Sequence, residues 1–172
     1  MKSRLSGFTL IELLVVVAVA SILLSLAVPS FRTMLVKRSV QSAVDAMVID
    51  LRFARSEAIK RTTRVSICSS VNGTSCATTA SWKDGWIVFI DDDGDGTVDP
   101  SDVVLRVQDA QSNLASLTTS VSTLAIVYQP AGWARASAQT FTFTPADGSA
   151  RLVCVSNQGR ATIRAEGVTS CS

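Results

Sequence analysis

The sequence of 172 residues contains no histidine. This removes the commonest general base, the serine–histidine and cysteine–histidine arrangements of covalent catalysis, and every imidazole metal site. There is also no CxxC pair, nucleophile elbow, phosphate-cradling glycine loop or zinc-ligand spacing. An enzyme is therefore not expected. Charge excess is equally scarce. Lys and Arg total 16 against 14 Asp and Glu, and the resulting +2 is too mild to announce a nucleic-acid binder by itself. No internal repeat and no disordered linker is visible. A chain of this length holds one domain and an anchor, and little more.

What is abundant is apolar sequence near the start. Residues 8–28 contain no glycine, no proline and a single charge, Glu12. As a helix they extend roughly 30 Å, enough to cross a bilayer core. Lys2 and Arg4 precede the run and hold that end in the cytoplasm. Three readings compete: a secretory signal cut after Ala27, a plain membrane anchor, or an anchor with a task for Glu12. The first two have no use for the carboxylate, which costs about 2.5–3.5 kcal/mol on insertion scales and usually finds a partner. Cleavage after Gly7 would make Phe8 a free N-terminus. Its ammonium, or that of a neighbouring copy, can then pair with Glu12, and a helix N-terminus favours a carboxylate in any case.

Pro29 closes the apolar run, where a kink or local break is expected. Beyond it Val36, Val40, Ala43, Val44, Met47, Leu51, Ala54 and Ala58 recur at three- and four-residue steps. Arg32, Lys37, Arg38, Asp45, Asp50, Arg52, Arg55 and Lys60 read as the solvated surface of the same helix. From residue 64 the pattern changes to short Thr-, Val- and aromatic-rich runs between Gly, Asn, Asp and Pro clusters. Strands are expected at 64–69, 86–90, 103–107, 122–128, 139–144, 151–156 and 161–165, with 103–107 the antiparallel mate of 86–90. Residues 71–80 and the Ser/Thr-rich 110–122 read as loops. The expected fold class is α+β: a long N-terminal helix, half membrane and half amphipathic, packed on an antiparallel β head. The segments are 1–7, 8–29, 30–61 and 62–172.

Four cysteines, Cys68, Cys76, Cys154 and Cys171, all follow the apolar run. Disulfides outside the cytoplasm are the natural expectation, against free thiols in a cytosolic chain. Three pairings exist. The local ones, Cys68 with Cys76 and Cys154 with Cys171, are the simplest, and sequence alone does not prove them.

The stretch Gly7-Phe8-Thr9-Leu10-Ile11-Glu12 resembles the type III signal of type IV pilins and type II secretion pseudopilins. Three later stretches resemble the FimU/FimT-type minor pilins: residues 50–58 (Asp-Leu-Arg-Phe-Ala-Arg-Ser-Glu-Ala), residues 84–89 (Asp-Gly-Trp-Ile-Val-Phe) and Asn157-Gln158-Gly159-Arg160-Ala161. The resemblance implies cleavage after Gly7 by a prepilin peptidase, methylation of the Phe8 amine, and a Glu12 that sets register with the next subunit. It implies a β-sandwich-like head and a low-abundance subunit that helps to start pilus assembly with other minor pilins and the major pilin. The protein would sit singly spanning the bacterial inner membrane, head in the periplasm, and later at the pilus tip on the cell surface. A minor pseudopilin of type II secretion shares the signal and head.

Two further sites are readable. In residues 91–102, Asp91, Asp93, Asp95, Thr97, Asp99 and Asp102 fall at the ligand positions of a calcium loop, with Gly96 at the tight turn. Asp stands where the EF-hand has a bidentate Glu, and Pro100 argues against a true EF-hand. The alternative is an acidic hairpin tip of ordinary turn chemistry. In the tail, Arg160 is followed four residues later by Arg164, with Arg151 on the preceding strand and Arg135 in the loop before it. FimT-type proteins of natural transformation carry a G-R-x-R element for DNA. Here the second arginine is displaced, yet even spacing in a strand keeps both on one side. Few aromatics interleave this tail, so base stacking has little support.

Overall fold

In the computed structural model the chain comprises one long helix, α1 (Leu10–Arg61), followed by nine strands among the described residues. The described residues are 9–79, 81–121, 124–135 and 138–171. Two compact units divide at the middle of α1: Met1–Leu35 and Val36–Ser172.

Every residue of the first unit whose burial is described is exposed. Leu13, Leu14, Val15, Val16 and Val17 are consecutive and all exposed. At 3.6 residues per turn they encircle the helix, so the apolar surface has no polar side. The hydroxyls of Ser21 and Ser25 donate to the carbonyls of Ala18 and Ile22, which keeps them satisfied without water. By length and composition the helix can cross a membrane. The helix assignment continues through position 29. The expected break is absent: proline withholds one N–H from the ladder, and the turns on either side keep theirs.

In the second unit α1 becomes one-sided. Val40, Ala43, Val44, Met47, Leu51, Ala54 and Ala58 are buried, following the helical repeat. They join one core with the inner faces of two antiparallel sheets. The first sheet has the order β3-β2-β1-β5-β6 and the second β4-β7-β8-β9. The strands of the first are β1 (Val65–Ser69), β2 (Trp86–Ile90), β3 (Val103–Gln108), β5 (Ala125–Tyr128) and β6 (Ala134–Arg135). Those of the second are β4 (Leu114–Thr119), β7 (Gln139–Pro145), β8 (Arg151–Val155) and β9 (Ala161–Ile163). β1 and β2 are buried on both faces; β2 reads as an unbroken apolar run, while β1 buries Ser66 and Ser69 by donating their hydroxyls to Asp91 and to the Thr79 carbonyl. Trp86 and Val88 face the main core. Ile87 and Phe89 face a smaller outer cluster with Cys68, covered by Cys76, Val98 and Val104. A short 3-10 turn, Trp82–Asp84, sets the Trp82 ring edge-on against Phe141 with centroids 4.9 Å apart.

The pairing of β2 with β3 is antiparallel, as expected. Residues 110–122 are not all loop. β4 lies there, paired with β7, and its Leu114 and Leu117 are both buried although three positions apart. A bulge between Leu114 and Ser116 shifts the register and returns both leucines to one face. A period-two search cannot see that pattern. The expected strand at 122–128 begins at Ala125, and residues 122–123 lie outside those described.

Helix and first sheet are joined by one buried carboxylate. Asp50 accepts from Trp86 Nε1 and from Arg106 Nη1, each at 2.9 Å. Arg106 also lies over the Phe53 ring, 4.0 Å from its centroid. Nearby on α1, the Arg61 side chain hydrogen-bonds Glu57 and, with Lys60, holds its carboxyl below the usual value of 4.5 although burial opposes this. Asp50→Ala strands the buried indole N–H while Arg106, half-exposed, finds water. The head is expected to lose about 1–3 kcal/mol in urea unfolding, and a loss under 0.5 kcal/mol would refute the link. Because the Glu57 pKa is depressed in the folded state, its stabilisation is complete above 4.5 and disappears as pH falls through the folded value. Glu57→Gln should therefore flatten that part of the acid-stability curve, measured as melting temperature between pH 6 and pH 3.

Candidate functional site

Three places in the chain collect functional side chains. The first is the start of α1. Gly7 and Phe8 lie outside the described residues. Thr9 precedes the helix, and its Oγ1 accepts the Glu12 N–H at 3.3 Å. Thr9 and Glu12 thus have the spacing of a capping box, a signal present in the sequence that the membrane argument passes over. Glu12 sits exposed in the first helical turn. Among the described residues no lysine or arginine forms an ion pair with it. A carboxylate without an ion-pair partner among the described residues, at the head of an apolar stretch of helix, is the chemical character of this end.

The second place is the connection between β2 and β3. Asp91, Asp93 and Asp95 converge there with carboxylate oxygens within 4.8 Å of one another. Asp91 is fully buried and engaged. One of its oxygens accepts from Gly94 N at 2.7 Å, the other from Ser66 Oγ at 2.5 Å and Gly96 N at 3.0 Å. Burial raises its pKa from the usual 3.8, against these donors. Asp95 accepts from the Thr97 N–H and hydroxyl, and Asp102 accepts from Asp99 N. Loss of solvent and the charges of Asp95, Asp93 and Asp102 raise the Asp99 pKa. The loop therefore closes on its own donors around Asp91. A calcium ion would meet Asp93 and Asp95 exposed to solvent, each accepting from a local donor, and Asp91 buried among the three donors it already holds.

The third place is the β8–β9 hairpin with the last turns of α1. The hairpin register pairs Cys154 with Thr162 and Val155 with Ala161. Arg160, Thr162 and Arg164 alternate onto one face. Arg160 and Arg164 line a groove of about 500 Å³ together with Gln139 and Cys171. Arg164 Nη2 donates to the Cys171 carbonyl at 2.9 Å. Arg151 falls on the opposite face of β8, in line with Val153, and Arg135 lies on β6 in the other sheet. The structure thus brings together two of the four tail arginines. Cys154 is bonded to Cys171, which ties the tail across this hairpin, and Cys68 is bonded to Cys76.

Gly159 makes the turn before β9 with φ +72°. A Cβ there would stand 2.6 Å from the Gly132 carbonyl oxygen and 3.0 Å from Tyr128. Only glycine satisfies both the dihedral and the approach. The turn thereby delivers Arg160 beside Arg52 and Arg55 of α1, where all three line a second groove of about 340 Å³. Sequence reading placed Arg52 and Arg55 on the solvated surface of the helix. Their three-residue spacing puts them on one side, but the partner across the groove is over a hundred positions away.

Comparison with known proteins gives the same picture. Residues 43–159 match the family model described as type II transport protein GspH, and residues 2–28 match the prokaryotic N-terminal methylation motif. The chain is similar to the pilin-like protein PilA1 of Thermus thermophilus, 26% identical over 161 residues, covering 90% of this chain and 96% of that protein. The fold is similar to crystal structures of the type IV minor pilin FimU of Pseudomonas aeruginosa. One crystal form aligns with a TM-score of 0.58 and 18% identity over 75% of this chain and 90% of that one. A second form gives 0.55 and 19% over 73% and 92%. An N-terminal methylation motif before an apolar helix, with a match spanning most of the head, places this chain in the GspH family of pilin-like proteins.

Proposed function

We propose that this protein is a minor pilin that helps to start assembly of a type IV pilus and remains near its tip. The observation that supports this reading is the first part of α1, apolar around its circumference, with its described side chains exposed. Such a helix needs lipid before assembly and other helices after it. Prepilin peptidase would cut after Gly7, the Phe8 amine would be methylated, and Glu12 would pair with a neighbouring subunit's N-terminus. The head, in the periplasm, would meet other minor pilins and the major pilin. A place in the pseudopilus of type II secretion uses the same parts. Recovery with a pilus major subunit, and not with a secretion pseudopilin, separates the two.

The DNA-capture alternative has less support. Of the arginines read for it, Arg151 and Arg135 lie on other faces, and Arg164 already serves the Cys171 carbonyl. No lining residue of the Arg160–Arg164 groove is aromatic.

Glu12→Ala is expected to be cleaved normally and to enter filaments at least roughly tenfold less, since it removes one partner of a desolvated charge pair. The check is the ratio of variant in sheared filaments to variant in membranes. Incorporation equal to wild type would refute the pairing.

A further inference from the structure

We propose that the groove between the last turns of α1 and the β8–β9 turn docks an acidic segment of a neighbouring protein subunit, with Arg52, Arg55 and Arg160 holding its carboxylates. This rests on the assembly reading and names a contact within it.

The charges in this groove are unbalanced. Its lining includes the three arginines and no carboxylate. Among the described residues none of the three forms an ion pair. Arg55 Nε is buried and has no hydrogen-bond acceptor. The Nε atoms of Arg151 and Arg164 are also buried without an acceptor, but neither shares its cavity with two further unpaired guanidiniums, and four arginines of the head do have acceptors. Arg61 meets Glu57, Arg106 meets Asp50, Arg64 donates to the Asp92 carbonyl, and Arg164 to that of Cys171. Three guanidiniums around one concavity repel each other, and a buried donor without an acceptor is costly. An incoming carboxylate relieves both, and guanidinium matches it in a bidentate fashion.

The rest of the lining decides the class of ligand. Ile59, half-exposed, and Ala161 add aliphatic surface beside the charges. That mixture suits the stem and head of a Glu or Asp within a peptide. A nucleic acid would favour aromatic platforms and a longer track of cations, and no lining residue is aromatic. Volume agrees: about 340 Å³ receives a few side chains. Gly159 shapes the groove, because any side chain there would collide with the Gly132 carbonyl and Tyr128 and push the turn outward.

The test uses the full-length protein, labelled with nitrogen-15, in a non-ionic detergent. The probe is a capped peptide copying residues 91–102, the most acidic segment of this chain. Arginine Nε–H resonances are followed as peptide is added. We expect the resonances of Arg55 and Arg160 to shift. The triple variant Arg52→Gln, Arg55→Gln, Arg160→Gln should weaken binding at least tenfold and retain its melting temperature. Arg135→Gln, on the other sheet, should bind as wild type. Unchanged binding by the triple variant, or no binding at millimolar peptide, overturns the proposal. A 12-base-pair duplex that binds more tightly than the peptide through the same arginines also overturns it, in favour of nucleic acid. If the peptide fails while Glu12→Ala still blocks incorporation, only this site falls; if both fail, the assembly reading falls with it.

Discussion

The described apolar side chains between positions 10 and 35 are all exposed, and the function proposed here answers to that fact. A helix that is hydrophobic on every side is stable only where something outside supplies the second surface. Its serines are already bonded to backbone carbonyls. Glu12 lies in the first turn, where the helix dipole favours a carboxylate, and Arg32 is the other charged side chain between positions 10 and 35. On the function proposed above, membrane residence and subunit packing would be two solutions to the same problem, used in succession.

From Val36 the same helix changes its demand. A single stripe is apolar, and the chain covers it with two sheets of its own. The Asp50 carboxylate fixes the helix to the first sheet through Trp86 and Arg106, and Trp82 reaches Phe141 of the second sheet. The two disulfides then secure what the core does not: the loop over the outer face of β1 and the C-terminal tail across the β8–β9 hairpin. A tail without such a tie frays. What distinguishes the groove beside Gly159 is that three arginines line it with no carboxylate among the lining residues.

Much of this was legible in the sequence where the signal is local. The helical stripe, the doubly buried run Trp86–Ile90 and its antiparallel mate all follow from periodicity, because each segment's burial is regular. Legibility failed where geometry departs from a period. β4 hides its leucines behind a bulge, and β6 has only two residues. At Pro29 local propensity argued for a break, and the helix bridges it. At the candidate sites, spacing identified Arg160 and Arg164 correctly as neighbours on one face. It could not anticipate Arg52 and Arg55, whose proximity to Arg160 is a product of Gly159 and the tertiary fold. In the acidic loop, spacing marked Asp91, Asp93 and Asp95, whose carboxylates converge, but it could not show that Asp91 also holds the loop together through three donors.

The central claim is that residues 10–35 depend on cover from outside the chain while Val36–Ser172 does not. Membrane partition tests it most directly. Full-length protein and a version beginning at Val36 would be expressed with export to the periplasm, and membranes washed at alkaline pH. The account predicts that the full-length chain stays in the membrane and that the shortened one is soluble, folded and disulfide-bonded. Release of the full-length chain by the wash, or aggregation of the shortened one, would contradict it.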